Sequence, residues 1–178
     1  MTSIIKVDTI QTSAGATPTA SSLGIGGVGK IGQVVQATDQ TATSISASAG
    51  TFYIAGASAS ITPTSSSSKI LVQISLSAIQ NASGKSITKL VRTAPSTVAL
   101  LSNTGGSNIN GTFGGVFLGD GNYIHCLNFT FLDSPSTTSL CTYTTQVGSS
   151  DPITFYVNRS VADTVRASST MTLMEVLA

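Results

Sequence analysis

From residue 31 onward, apolar positions recur in short runs, and several of these runs alternate strictly with polar ones. In "KILVQISLSAI" the residues Ile70, Val72, Ile74 and Leu76 share one side and Gln73, Ser75 and Ser77 the other. Leu127, Phe129 and Phe131 alternate with Asn128 and Thr130 in the same way, and Ile153, Phe155 and Val157 alternate with Thr154, Tyr156 and Asn158. A period of two places successive side chains on opposite faces of a strand, so each run predicts a strand with one face in a core. A one-residue slip would turn a whole apolar row into water, which fixes the register. Similar segments ("GQVVQAT", "TFYIAGASASI", "SITKLVRT", "TVALL", "GTFGGVFL", "LCTYTTQV" and "TMTLMEVL") are fenced by turn-forming clusters such as "TPTSSSS", "NASGK", "DGN", "DSPS" and "SSDP". Short strands at this spacing predict an all-β fold, an antiparallel β-sandwich of jelly-roll-like type.

Two segments depart from the half-polar pattern. "TVALL" has no polar face, and "TMTLMEVL" sets Met171, Leu173 and Leu177 on one side with Met174 and Val176 on the other. A strand that is apolar on both sides needs a second cover. Met174 and Val176 are therefore the candidate subunit interface, and the expected assembly is a homo-oligomer.

Residues 1–30 read differently from 31–178. "SIIKVDTIQ" offers Ile4, Ile5, Val7 and Ile10, too little apolar surface to fold alone, and "TSAGATPTASS" is an extended linker. The expected organisation is an N-terminal arm over 1–30, with those four residues as its attachment points, followed by a β-sandwich knob over 31–178.

Composition narrows the function. Of 178 residues, 54 are Ser or Thr, only 8% are charged, the formal net charge is +1, and Glu occurs once. Nothing here is an electrostatic footprint for nucleic acid or anionic lipid, and no apolar run approaches the ~18 residues of a membrane span. No signal-peptide core is expected at the N-terminus. Two cysteines, Cys126 and Cys141, do not make a disulfide framework and are expected to be reduced.

The chemical motifs are weak. "GIGGVGK" (24–30) satisfies the G-x-G-x-x-G spacing, but no buried strand precedes it, and the β-branched "IGQVVQAT" that follows offers no helix N-terminus for a pyrophosphate. The phosphate-loop spacing fails at Ile31, where a Ser or Thr would hold magnesium. His125, the only histidine, sits next to Cys126, and neighbours in a strand point to opposite faces, so the two cannot chelate one metal. Asp120, Asp133 and Asp151 lie in turn signals where local hydrogen bonds account for them. No catalytic residue, metal site or cofactor is expected. The sequons at Asn81, Asn110, Asn128 and Asn158 are read as chance in a Ser/Thr-rich chain. The long Gly- and Asn-rich stretch 102–123 is the candidate recognition loop. It carries Asn103, Asn108, Asn110, Asp120, Asn122 and Tyr123, amides and an aromatic ring suited to sugar hydroxyls.

The phrases "SIIKVDTIQTSAGATPTASSLGI", "SSSKILVQISLSA", "FLDSPSTTSLCTYTTQV", "TFYVNRS" and "STMTLMEVLA" together resemble tail-fibre-like and related virion proteins of bacteriophages, especially those of cyanobacteria. The resemblance covers nearly the whole chain and implies a virion-located structural protein. It further implies a homotrimer, whose arm attaches to other phage virion proteins and whose β-rich knob faces outward; a host cell-surface glycan is the partner expected for the recognition loop. Two alternatives stand beside this expectation. One is a capsid decoration protein or head fibre, favoured by a length that leaves little room for a long shaft. The other, of a different class, is a polysaccharide-depolymerising spike, which requires a cleft with two carboxylates.

Overall fold

The computed structural model describes residues 29–81, 85–100, 110–114 and 123–178, and the attachment residues Ile4, Ile5, Val7 and Ile10 lie outside them. Eleven strands follow in chain order: β1 (Ile31–Asp39), β2 (Thr43–Ala47), β3 (Phe52–Ile61), β4 (Lys69–Gln80), β5 (Ser86–Ala94), β6 (Val98–Leu100), β7 (Phe113–Gly114), β8 (His125–Asp133), β9 (Cys141–Ser149), β10 (Ile153–Val157) and β11 (Ser169–Val176). Every strand pairing is antiparallel. The all-β sandwich expected from the alternation is the fold observed.

The pairings define two sheets. In sheet I, β4 is flanked by β8 on one side and, on the other, by β11 along its first half and β10 along its second. β1 then pairs with β11, and β2 with β10. Both β10 and β11 run antiparallel to β4, so they are two halves of one strand interrupted by residues 158–168. β1 and β2 are likewise one strand broken at 40–42. Counted this way, sheet I has four strands, β1/β2, β10/β11, β4 and β8, and sheet II has β3, β9, β5 and the short β6 and β7. Apart from β5, β6 and β7, which follow one another within sheet II, successive strands cross between the sheets, in the order of a jelly roll.

Alternation explains the core. Ile70, Val72, Ile74 and Leu76 are all buried between the sheets, as are Ile153, Phe155 and Val157, and they meet Tyr143, Val147 and Leu90 of sheet II. Close approach is demanded at one point. Gly56 sits in the irregularity of β3 between Ile54 and Ser58 with φ +74°, and a Cβ there would stand 2.7 Å from Leu76 Cδ1. Only glycine meets both conditions without strain.

The interruption between β10 and β11 is built on Asn158, which is fully buried with φ 59°. Its Nδ2 donates to the Asp39 carbonyl and carboxylate at 3.0 Å each and to the Thr41 carbonyl at 3.2 Å, while its Oδ1 accepts from Ser169 Oγ at 2.6 Å. Its backbone N–H reaches the Ser77 carbonyl at 2.8 Å. Asn158 thus ties together the breaks in both split strands through its side chain, and the second half of β4 through its backbone. The alternation had placed Asn158 in a polar outward row with Thr154 and Tyr156. The left-handed conformation turns it inward instead.

Two poles result. Gly29 N–H donates to the Leu177 carbonyl and Leu177 N–H to the Lys30 carbonyl, so the start of the described chain and its C-terminus lie side by side. The loops 62–68, 95–97 and 134–140 share that near pole. The connections 48–51 and 150–152 lie at the far pole, where β8 begins at His125, opposite Ala78.

Candidate assembly surface

The outward face of sheet I forms a grid. Val34 of β1 stands opposite Met174 of β11, Met174 opposite Leu71 of β4, and Leu71 opposite Leu132 of β8. An apolar row therefore crosses four strands on the side away from the core. Val34 is 57% and Leu132 47% exposed, and Leu71 and Met174 are half-buried. Val176 extends the row toward the near pole, where it faces Ile31, itself 48% exposed.

The two rows beyond it are neutral and polar. Gln36, Thr172, Gln73 and Thr130 form the first, with Gln36 Nε2 donating to Thr172 Oγ1 at 3.0 Å, and Thr38, Thr170, Ser75 and Asn128 form the second. These rows line a shallow groove of about 350 Å³. None of the residues in the three rows is charged. The patch thus offers contact area and neutral hydrogen bonds, with the depletion of charge that marks the centre of protein interfaces. Sheet II differs: its Lys89 Nζ lies 3.4 Å above the Phe52 ring, and burial lowers the Lys89 pKa.

Met174 and Val176 both face outward, as their alternation with Met171 and Leu173 predicts. The alternation does not prepare for Glu175. It points inward and is fully buried at the near pole. The groups that donate to it are neutral: Gln33 Nε2 donates to Oε2, and the Thr64 N–H and hydroxyl both donate to Oε1, each at 2.7 Å. Burial opposes ionisation, but the hydrogen bonds from Gln33 and Thr64 outweigh it and hold the carboxyl at about 2. The loop 62–68 is fastened to β11 through this group.

A second buried acid corrects the turn reading of Asp133. Its carboxylate pairs with the Arg92 guanidinium of β5 and accepts from Tyr143 Oη at 2.8 Å. Asp133 belongs to sheet I, whereas Arg92 and Tyr143 belong to sheet II, so the cluster locks the sheets together at the near pole. Burial, then the neighbouring Asp133, drive the Tyr143 pKa far upward. Burial disfavours the Arg92 cation, yet Asp133 more than compensates and its pKa rises.

"TVALL" contributes only the three-residue β6, with Val98 37% exposed and Leu100 buried. Of the candidate recognition residues, Asn103, Asn108, Asp120 and Asn122 lie outside the described residues. Asn110 is half-buried, and Tyr123 is 66% exposed beside the start of β8 at the far pole. Ile31 opens a strand, which leaves no helix after "GIGGVGK". Cys126 and Cys141 are free. Among the described residues no group of three or more His, Cys, Asp or Glu is placed to hold a metal. The sequon Asn158 is buried and engaged, so it is closed to a glycan on the folded chain.

No protein-family model and no curated protein matches the chain. Solved structures of infectious bursal disease virus are similar to it in fold. The Gt-strain structure has a TM-score of 0.44 at 14% identity over 98% of this chain, and the VP2 subviral particle has 0.39 at 13% over 82%. The chain spans less than half the length of either, 43% and 38% respectively.

Proposed function

We propose that the chain is a non-enzymatic structural protein of a phage particle, a fibre- or spike-type component that assembles as a homotrimer through the outward face of sheet I. The observation that carries this reading is the uncharged apolar row Val34–Met174–Leu71–Leu132 on the side of the sheet away from the core. Monomers seldom leave such a face bare, and a second copy covers it without bringing like charges together. The arrangement of the poles supports an oriented molecule. The arm, with Ile4, Ile5, Val7 and Ile10, is the part that grips other virion proteins, and the described chain that follows it begins at the near pole with Gly29. Tyr123, exposed at the far pole, is a contact for a host-surface glycan together with the other candidate recognition residues.

Quantitative mass spectrometry of purified particles, combined with cryo-electron microscopy, tests the proposal. A fibre or spike component is expected in a small number of copies, a multiple of three, with density at discrete attachment points. A decoration protein would instead occupy repeated positions over the capsid. Absence of the chain from washed particles would overturn the virion assignment altogether.

A further inference from the structure

Jelly rolls have four sheet edges, and three of the four here carry a device that discourages pairing. The β1/β2 edge has a register shift between Ile31 and Val34 and a break at 40–42, and β3 is irregular between Ile54 and Ser58. The remaining sheet II edge consists of strands of three and two residues. β8 has no such device. Its nine residues stay in unbroken register with β4 from Ile70↔Asp133 to Ala78↔His125, without Pro, Gly or Lys. Among the described residues, no strand pairs with its second edge. A long, regular edge of this kind, whose one carboxylate, Asp133, sits at its very end and is turned inward to Arg92, invites another strand.

The side chains beneath that edge also lack full cover. Leu127, Phe129 and Phe131 point toward the core but remain half-buried, and Phe113 of β7 stacks on Phe129 with ring centroids 3.9 Å apart. An open row of backbone groups thus lies above an incompletely covered aromatic cluster.

We infer that β8 pairs antiparallel with the β8 of a second copy about a two-fold axis at Phe129, joining two copies of sheet I into one continuous sheet. The sequence of the strand is chemically self-complementary in this register. Leu127 meets Phe131 and Phe129 meets its own copy on the inner face, while Asn128 meets Thr130 and Cys126 meets Leu132 on the outer face. His125 meets Asp133 at the ends, so no like charges oppose each other. Other registers of the same pairing set Asn128 or Thr130 against apolar partners or shorten the ladder. This contact uses the edge of sheet I, whereas the trimer proposed above uses its face. It would connect trimers to one another.

The register supplies its own test. Residues directly opposite in an antiparallel pair have Cα atoms ~4.5–5.5 Å apart, within the range a disulfide spans. In full-length Leu132→Cys the new thiol would face the native Cys126 of the second copy, and the six-residue separation along an extended strand prevents a bond within one chain. Mild oxidation with diamide is expected to convert most of the protein to a covalent dimer, and adding Cys126→Ser is expected to abolish it. The dimer should also persist when Met174→Asp and Val176→Asp are introduced, which separates failure of this contact from failure of the trimer face. The inference is overturned if Leu132→Cys remains monomeric on a non-reducing gel. It is equally overturned if the Cys126→Ser background cross-links as well, because Leu132 would then meet its own copy across a different surface.

Discussion

Asn158→Ala should be among the most destabilising single substitutions in the chain. Removing the amide deletes three donated bonds, to the Asp39 carbonyl, the Asp39 carboxylate and the Thr41 carbonyl, and one accepted bond from Ser169. Asp39 and Thr41 are partly solvated and recover some of the loss through water. Ser169 is 1% exposed and does not, so its hydroxyl keeps only the Ser77 N–H that it accepts at 3.0 Å. A buried polar group deprived of its partner costs ~1–3 kcal/mol, and alanine forced to a positive φ adds ~1 kcal/mol. The total is about 2–4 kcal/mol. At ~2–4 °C per kcal/mol for a domain of this size, the melting temperature should fall by ~4–16 °C. Urea denaturation followed by circular dichroism measures the change, and Asn158→Gly separates its two parts, because glycine tolerates φ 59° but makes none of the side-chain bonds. Glycine should therefore recover only the smaller, conformational share. A loss below ~1 kcal/mol for Asn158→Ala would refute the claim that this residue holds the split strands together.

Glu175 gives the fold a stability that depends on acid. Its folded pKa lies below the ordinary 4.5, at about 2, so the contribution is complete above 4.5, decays beneath it and is gone once the pH has passed the folded value. Glu175→Gln should lower stability at neutral pH by about 2 kcal/mol and flatten the dependence between pH 5 and pH 2, as measured by urea denaturation across that range. Arg92→Met leaves Asp133 buried beside Tyr143 without its cation and should cost about 3–5 kcal/mol. Arg92→Met combined with Asp133→Leu should regain most of it, and additive losses in a denaturation cycle would argue against a coupled pair.

Local alternation carried much of the architecture. Ile70, Val72, Ile74 and Leu76 are buried where period two puts them, and Met174 and Val176 face outward as their neighbours require. The misses share one physical cause: partners distant in sequence. Asp133 beside Ser-Pro looks like a turn residue, and nothing near it points to Arg92, 41 residues away. Glu175 is a lone acid in an apolar strand whose donor Thr64 is 111 residues upstream. The breaks in β1/β2 and β10/β11 depend on Asn158 reaching Asp39 across 119 residues, so "TFYVNRS" reads as one unbroken strand. The apolar row of the candidate interface has the same origin. Val34, Leu71, Leu132 and Met174 are each ordinary alone, and only the sheet order aligns them. Met174 was visible because β11 is apolar on its outward side over two positions, a signal the other three lack.

Sedimentation equilibrium of the full-length chain against Met174→Asp/Val176→Asp tests the central claim most directly. The account predicts chains in multiples of three for the native protein and loss of the three-chain unit for the folded variant, which keeps no contact larger than the two-chain pairing through β8, because the carboxylates would be buried without a partner in the closed assembly. A native chain that sediments as a monomer at every concentration, or a doubly substituted chain that still sediments as a trimer, would contradict it.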